Sequence, residues 1–308
     1  MRSKSRCSVL LATALTALFM VALAVPSTSS AVILGVSDNK ADTFADPKFQ
    51  ALGVKRVRLI TPYDSIFKNP VGLDQWIRAA QASGAEPLIT FEKPASMVCP
   101  GSDCRAPSVA SYTEAFRAFR AKYPTILLIN PWNEGNSGTQ PTGKNPRANA
   151  LYFNAVKRTC PSCRVIAADV LDIKNMPKWL TTFKRYANRP ALWGLHNYGD
   201  TNRFRTTGTR TLLKETRGPV WLLETGAIVY FRTKEGKVAL PRSESRQARS
   251  VRFLLTRLVN IDRRRIQRAY LYNFRTIPED RFDAGLLRAD GSAREAYNIV
   301  LSYRKLFR

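Results

Sequence analysis

The sequence has 308 residues and a formal net charge of +26, from 49 Lys and Arg against 23 Asp and Glu. Three of the basic residues lie in the first 31, so the remaining 277 residues have a net charge of +23. That length is long for two small domains but natural for one α/β barrel. The positive charges are scattered, with DRRR at 262–265 the only dense run, and no nucleic-acid motif accompanies them. These features favour a soluble, arginine-rich surface and no specific nucleic-acid partner.

The first 31 residues have the pattern of a secretory signal peptide. Three basic residues precede an apolar run at 7–25, and small residues follow it up to an expected cleavage after Ala31. The run is long for a signal peptide, so an uncleaved anchor is the alternative. No later segment is long and apolar enough to span a membrane. The sequence therefore predicts a secreted protein without membrane association after cleavage, with its folded domain at 32–308.

Eight short apolar runs predict β-strands along this domain. Each is rich in Val, Ile, Leu and aromatic residues and is bounded by Gly, Pro or charged residues. The runs are AVILGVS (31–37), VKRVRLITP (54–62), AEPLITFE (85–92), TILLINPWNE (125–134), RVIAADVLD (164–172), ALWGLHNY (191–198), VWLLETG (220–226) and RAYLYNF (268–274).

Helical patterns lie between these strands, and the alternation decides the fold class. Strands that alternate with helices pair in parallel, and eight such units over about 250 residues suit a closed (β/α)₈ TIM barrel. An open doubly wound sheet is the alternative, but its Gly-rich first turn is missing from GVSDNK at 35–40. The predicted helices lie within 73–84, 111–124, 147–158, 176–187, 243–260 and 292–307.

Four cysteines lie beyond the predicted signal peptide. Cys99 and Cys104 follow strand three, whereas Cys160 and Cys163 precede strand five. In a barrel these two positions lie at opposite ends, so the four thiols do not share one zinc ion, the other interpretation of the C-x-x-C spacing. Two local disulfides, Cys99–Cys104 and Cys160–Cys163, are the prediction for an exported protein, with no metal site.

Two carboxylates follow apolar strands where a barrel places its functional groups. Glu134 ends strand four and Glu224 ends strand seven. These strands stand on opposite sides of an eight-stranded barrel, so their carboxylates can face each other across its carboxyl-terminal mouth. Glycoside hydrolysis requires such a pair, one acid to protonate the leaving oxygen and one carboxylate on the other side of the sugar.

The ordered set of residues at the strand ends resembles the clan A glycoside hydrolases. It comprises Arg58 in strand two, Asn133–Glu134 after strand four, the His-x-Tyr of His196 and Tyr198 at strand six, and Glu224 in LLETG. The segment FDAGLLRADGSAREAY at 282–297 is also similar to the last loop and helix of these enzymes. The likeness is to cellulase-like barrels of the family five and family thirty-nine type and covers essentially the whole predicted domain.

The resemblance implies a retaining β-glycosidase that needs no cofactor and acts on a carbohydrate substrate. Glu224 corresponds to the nucleophile and Glu134 to the acid/base, with carboxyl groups about 5–5.5 Å apart. Arg58 and Tyr198 favour the ionised form of Glu224, since Arg58 is a fixed positive charge and Tyr198 is a hydrogen-bond donor. Asn133 can bond the sugar 2-hydroxyl, and His196, the single histidine, shapes the sugar site.

The chain departs from the clan pattern at two places. Many relatives continue Asn-Glu with Pro, whereas this chain has Gly135. Many also have a Trp at strand eight as a sugar platform, for which Phe274 is the nearest match here. Trp132, beside Asn133, is another aromatic residue that we expect to support or contact the substrate.

Two other functions fit the same sequence. One is a barrel that binds glycans without hydrolysing them. The other is a basic cell-envelope protein that binds an anionic polymer through its positive charge. We expect a monomer in each case, and an anionic cell-envelope polymer stays open as a partner of the enzyme as well.

Overall fold

The computed structural model describes residues 31–277 and 281–307, so the predicted signal peptide lies outside the described residues except for Ala31. Eight strand positions form one parallel sheet, labelled β1 to β8 in chain order. Their bounds are Ile33–Ser37 (β1), Arg56–Pro62 (β2), Glu86–Glu92 (β3), Leu128–Asn130 (β4), Arg164–Val165 with Asp169–Leu171 (β5), Trp193–His196 (β6), Val220–Thr225 (β7) and Ile266–Tyr272 (β8).

The sheet closes on itself because β5 is shared between two neighbours. Its first segment pairs with β4, where Leu128 lies opposite Arg164, and its second segment pairs with β6, where Asp169 lies opposite Gly194. At the other seam β1 pairs in parallel with β8. Every strand therefore has two parallel neighbours, as a (β/α)₈ barrel requires, and the predicted fold class is confirmed.

Helices surround the barrel, and their apolar faces pack on the outside of the sheet. In the helix Pro70–Ala82, for example, Leu73, Trp76, Ile77 and Ala80 are buried on one face. The remaining α-helices are Pro47–Leu52, Ser65–Lys68, Val109–Lys122, Pro146–Thr159, Met176–Tyr186, Tyr198–Asn202, Thr207–Glu215, Glu244–Thr256 and Glu295–Ser302, and the 3₁₀ helices are Ala41–Ala45, Leu258–Asn260 and Arg304–Phe307. No helix in the described ranges is both long and apolar enough to cross a membrane.

A second, smaller group of apolar side chains fills the inside of the barrel. Its buried members come from β3, β4, β7 and β8 and from the residues beside β5 and β6: Leu88, Leu128, Ile166, Leu192, Trp221, Leu223 and Tyr270. Inward-pointing side chains of this kind make the barrel a packed core, not a pore. Polar side chains at the strand ends therefore lie at the two open faces of the barrel, not inside it.

Both predicted disulfides are confirmed. Cys99 is bonded to Cys104 in the loop after β3, and Cys160 is bonded to Cys163 just before β5. The two bridges stabilise single loops at opposite ends of the barrel, as the strand positions imply.

A three-stranded antiparallel sheet, which no pattern in the sequence predicted, lies after β7 and β8. It consists of Tyr230–Arg232, Val238–Leu240 and Phe282–Asp283. Because its strands follow the carboxyl ends of β7 and β8, the small sheet stands at the mouth of the barrel. It brings aromatic side chains from two distant parts of the sequence to one side of that mouth.

Candidate active site

Glu224 lies near the end of β7, where its carboxylate is held by two donors. Arg58 Nη1 donates to Glu224 Oε2 at 2.7 Å, and the Tyr198 hydroxyl donates to Glu224 Oε1 at 2.9 Å. Arg58 is fully buried, and the glutamate is 7% exposed. Both carboxylate oxygens therefore have a fixed partner, and a small part of the group still faces the mouth.

Arg58 lies at the centre of a buried cluster of polar side chains and bonds several of them. Its Nη2 donates to Asn133 Oδ1 at 2.7 Å and to Asp169 Oδ2 at 3.2 Å. Its Nε donates to Thr90 Oγ1 at 2.9 Å. Burial opposes its charge, but the carboxylates of Glu224 and Asp169 outweigh burial and raise the pKa of Arg58. A buried guanidinium with this many acceptors fixes the positions of side chains from β2, β3, β5 and β7.

His196, at the end of β6, bridges this cluster to Glu134. Its Nε2 lies 2.9 Å from Asp169 Oδ2, and its Nδ1 lies 3.2 Å from Glu134 Oε1. Burial disfavours the imidazolium, but Asp169 and Glu224 favour it more strongly and raise the pKa of His196 to about 10. Below that pH both ring nitrogens are donors, one to each carboxylate.

Glu134 lies in the turn after β4, not in the strand itself. Its backbone has φ 45°, a left-handed conformation that is uncommon for any residue except glycine. Its side chain is 21% exposed, more than that of Glu224. One oxygen of Glu134 and one oxygen of Glu224 lie within 4.8 Å of each other. The two carboxylates thus face each other across the mouth, as their strand positions predicted.

Glu134, Glu224 and His196 are also donor types that hold metal ions, and their atoms are close enough for one ion. The chemistry of the set does not fit a metal. Arg58 already neutralises Glu224 at 2.7 Å, and both ring nitrogens of His196 have partners, Asp169 at 2.9 Å and Glu134 at 3.2 Å. The described residues therefore form a hydrogen-bonded cluster of acids and bases.

Gly135 occupies the position where many clan A enzymes have proline, and the structure gives a steric reason. A Cβ atom there would collide with Asn149 Nδ2 and would lie 2.9 Å from two ring atoms of Trp179. The turn is further held because the Gly135 amide donates to Asp169 O at 2.7 Å. A glycine at this position lets the turn that bears Glu134 pack directly on the helices Pro146–Thr159 and Met176–Tyr186.

A cleft of about 570 Å³ opens above the two carboxylates. One wall comes from β3 and the loop after β4, and it is polar. The other wall comes from the ends of β7 and β8 and the small sheet, and it is largely aromatic and aliphatic. The polar wall includes Glu92, Lys93, Ser137, Thr139 and Gln140, and the apolar wall includes Ile228, Phe231, Tyr272 and Phe282.

Two aromatic residues predicted at the substrate site do not reach the cleft. Trp132 is fully buried, with its ring centroid 5.0 Å from that of Tyr152, and Phe274 is 1% exposed and packs edge-on against Phe49. The structure corrects the expectation of direct sugar contact for these two side chains, which instead pack under the mouth. The aromatic residue of β8 that lines the cleft is Tyr272.

Several residues of the site were not selected from the sequence. Asp169 bonds both Arg58 and His196, yet its position in β5 indicated only a strand end. Gln140 and Phe282 line the cleft from loops that carry no motif. Phe282 belongs to the segment at 282–297 that resembles the last loop of clan A enzymes, so that likeness was the one available indication of its place.

Comparison of the whole fold with solved structures finds glycoside hydrolases. A monomeric β-xylosidase from Caulobacter crescentus CB15 matches with a TM-score of 0.64 at 16% identity, over 88% of this chain and 67% of that one. The GH39 enzyme from Xanthomonas axonopodis pv. citri matches with a TM-score of 0.66 at 16% identity, over 89% and 66%. A β-D-glucuronidase from Dictyoglomus thermophilum matches with a TM-score of 0.61 at 10% identity, over 89% and 50%.

These matches concern the fold. No protein-family model matches the sequence, and no curated protein matches it. The chain spans between one half and about two thirds of the length of the three enzymes named above. At identities of 10–16% the likeness establishes architecture, and activity must be argued from the site itself. The chain therefore shares the barrel fold of these glycoside hydrolases.

Proposed function

We propose that the protein is a secreted retaining β-glycosidase that hydrolyses O-glycosidic bonds of an oligosaccharide or polysaccharide. The observation on which this rests is the pair Glu134 and Glu224, with oxygens within 4.8 Å of each other at the base of the cleft. Retaining glycosidases have carboxyl groups about 5–5.5 Å apart, whereas inverting enzymes leave about 6.5–9.5 Å for a water molecule. The short separation supports the retaining mechanism.

In the first step, Glu224 attacks the anomeric carbon while Glu134 gives its proton to the leaving oxygen. The Glu224 carboxylate is suited to attack because Arg58 and Tyr198 donate to its two oxygens and hold it in one orientation. Burial and the neighbouring Glu224 raise the pKa of Tyr198 well above its ordinary value, so the phenol stays a donor. The products are an alcohol and a glycosyl ester on Glu224.

In the second step, Glu134 takes a proton from water, and the oxygen of that water attacks the anomeric carbon. The Glu224 carboxylate leaves, and the sugar is released with its original anomeric configuration. His196 holds Glu134 at 3.2 Å through both steps. Asn133 is 6% exposed beside Glu134 and lines the cleft, so its amide can bond a sugar hydroxyl next to the anomeric centre.

Secretion is part of the proposal and has its own support. The basic and apolar pattern at 1–31 is that of a signal peptide, and both disulfides suit an oxidising compartment. Edman sequencing of the protein purified from culture medium would test it. The expected mature terminus is Val32, and an intact Met1 in the membrane fraction would indicate an uncleaved anchor.

The enzymatic proposal is tested by incubating the purified protein with a panel of aryl β-glycosides and plant and microbial polysaccharides. Wild type is expected to release reducing ends from at least one substrate. The hydrolytic activity of Glu134→Gln and of Glu224→Gln is expected to be lower by about 10²–10⁴-fold or more. Glu86→Gln, at the opposite end of the barrel, is the matched control and should keep full activity. Wild-type protein that binds a glycan but never cleaves it would indicate a glycan-binding barrel.

A further inference from the structure

Glu92 is a third carboxylate in the cleft, and the two-step mechanism does not use it. It ends β3 and lines the polar wall. Burial raises its pKa, opposed by the hydrogen bond from Gln140, and the negative charges of Glu134 and Glu224 raise it further. These influences show that Glu92 lies within electrostatic range of both proposed catalytic groups. Keeping an ionised carboxylate at such a position costs free energy.

Gln140 fixes the direction of this carboxylate. Its Nε2 donates to Glu92 Oε2 at 3.1 Å, and its side chain is 5% exposed. The Gln140 Oε1 atom has no hydrogen-bond partner among the described residues. The Gln140 amide oxygen is itself buried, so the acceptor that the pair offers to the cleft is the half-buried carboxylate of Glu92. Acceptors on a cleft wall are complementary to hydroxyl or ammonium groups of a ligand.

The loop that carries Gln140 is rigidly attached to the barrel. Asn136 Oδ1 accepts from the Leu171 amide at 2.7 Å, and Thr142 Oγ1 donates to Gly135 O at 3.0 Å. Trp179 Nε1 donates to Thr142 O at 3.1 Å. Gln140 thus belongs to the same well-held segment as Glu134, so the polar wall keeps a fixed distance from the proposed acid/base.

The facing wall determines how a sugar would present itself to Glu92. Strand β3 is opposite β7 in the barrel, and β4 is opposite β8. The segments after β7 and β8 contribute the aromatic residues of the facing wall. Tyr272 and Phe282 have ring centroids 6.0 Å apart and both line the cleft. A pyranose that lies against these rings would direct equatorial hydroxyls at its edge towards the polar wall.

We propose that Glu92, oriented by Gln140, is a specificity-determining residue that accepts hydrogen bonds from the hydroxyls of a neutral sugar and disfavours uronic acids. This inference rests on the proposed glycosidase function. A uronate in the same place would bring a further negative charge to a cleft that already holds Glu92, Glu134 and Glu224. Lys93 offsets only part of this negative charge: it favours the ionised form of Glu92 and so opposes the rise in its pKa, but its Nζ is directed to the Met97 carbonyl in the loop beyond.

The test compares pairs of sugars in which a hydroxymethyl group in one replaces the carboxyl group of the other, with a xyloside that lacks both. Substrates are the 4-nitrophenyl β-D-glucoside and β-D-glucuronide, and the corresponding galactoside and galacturonide. Binding of the methyl glycosides of the same sugars, and of methyl β-D-xyloside, is measured by saturation-transfer NMR, which needs no turnover. Wild type should prefer the neutral member of each pair. Glu92→Gln should reduce hydrolysis and binding of the neutral sugar about tenfold, because a neutral amide replaces a charged hydrogen-bond acceptor. The ratio of neutral to uronate activity should fall accordingly.

A merely structural role for Glu92 predicts a different pattern. Glu92→Gln keeps the size of the side chain, so loss of folding is not expected, and circular dichroism checks this. Glu92→Asp should partly restore the neutral preference because the charge is retained. An unchanged neutral-to-uronate ratio in Glu92→Gln, or a wild-type preference for uronates, would overturn the proposal. Binding with the predicted ratio but no cleavage would refute the glycosidase function and leave Glu92 as the selectivity residue of a glycan-binding site, whereas a wild-type protein that neither binds nor cleaves any sugar would refute both.

Discussion

The two ends of the barrel both contain arginine–carboxylate clusters, but with opposite charge balance. At the mouth, Arg58 and His196 face Asp169, Glu224 and Glu134, so acidic groups outnumber basic ones. The arginine, the histidine and Asp169 have no exposed side-chain surface. Burial of several charges is costly even when they are paired. A cluster of this kind is poorly explained by stability alone.

At the amino-terminal end, basic groups outnumber acidic ones. Arg56 and Arg268 share the carboxylate of Glu86, each at 2.9 Å. Arg268 and Arg164 also lie over the ring of Trp221, with guanidinium carbons 4.2 and 4.5 Å from the ring centroid. The glutamate is 42% exposed, so water screens the pair. This end joins strands and covers the core, and it offers no opposed carboxylates.

Neighbouring arginines of one strand thus belong to two different kinds of charge cluster. Arg56 and Arg58 lie two residues apart in β2, so both side chains point to the same side of the strand. Arg56 pairs with the partly exposed Glu86, whereas Arg58 pairs with a buried network that includes two opposed carboxylates. The excess of acid at the mouth suits the proposed glycosidic chemistry, and among the described residues Arg58 and His196 pair with it.

The largest expected effect is from Arg58→Met. The substitution leaves Asp169 and Glu224 buried without their cation, so we expect the free energy of unfolding to fall by about 3–5 kcal/mol. Hydrolytic activity should be lost as well, because Glu224 loses its orientation. Arg56→Met is the matched control in the same strand and should cost no more than about 1 kcal/mol. Urea denaturation of both variants measures this, and equal losses would contradict the distinction between the two ends.

Gly135→Ala should have the next largest effect. The new methyl group would collide with Asn149 and Trp179, so we expect a loss of about 1–3 kcal/mol and displacement of the turn that bears Glu134. Gly138→Ala in the same loop is the control, since a Cβ atom there has open space. Thermal unfolding and kcat are the measurements. A Gly135→Ala protein as stable and active as Gly138→Ala would show that the close packing is unimportant.

A smaller effect is expected from pH, through His196. Its pKa in the folded protein is about 10, above the ordinary value of 6.5, so protonation stabilises the folded state. That contribution is complete below pH about 6.5 and disappears as the pH rises through about 10. Urea titrations at several pH values should show a steeper decline for wild type than for His196→Gln. Parallel declines would mean that the histidine is neutral in the folded protein.

The smallest effect is expected from Glu86→Gln at the amino-terminal end. The Glu86 side chain is 42% exposed, so removal of its charge should change the free energy of unfolding by less than about 1 kcal/mol. Activity and its pH profile should match those of wild type. A fall in kcat with unchanged stability would show that charge at the far end of the barrel influences the mouth.

The sequence predicted the barrel because the fold depends on patterns that repeat locally. Eight apolar runs gave all eight strand positions, and six amphipathic patterns located six of the outer helices. The helices Pro47–Leu52 and Thr207–Glu215 were missed, since they are short and lack a long apolar face. The break in β5, where the strand changes partners, depends on barrel closure and has no local signature.

The candidate site was predictable only in part, for a related reason. Glu224 and His196 stand near strand ends, Glu134 follows β4, and Arg58 points from β2 towards the same carboxylates. The topology alone brings such residues to one mouth. Which aromatic side chain faces the cleft depends on side-chain direction and loop packing, so Tyr272 could not be distinguished from Phe274. The pair of Glu92 and Gln140 joins residues 48 positions apart, and no motif connects them.

Glu224 is proposed to form a covalent bond to the sugar, and mass spectrometry can test this directly. The protein is incubated with 2-deoxy-2-fluoro glycosides activated by a good leaving group, in the sugar configuration that wild type cleaves fastest. The fluorine slows both steps, and the good leaving group lets the intermediate accumulate. We expect one fluoroglycosyl unit per molecule, attached to the peptide that contains Glu224, and no such label on Glu224→Gln. An active enzyme that stays unlabelled and releases a product of inverted configuration would contradict it.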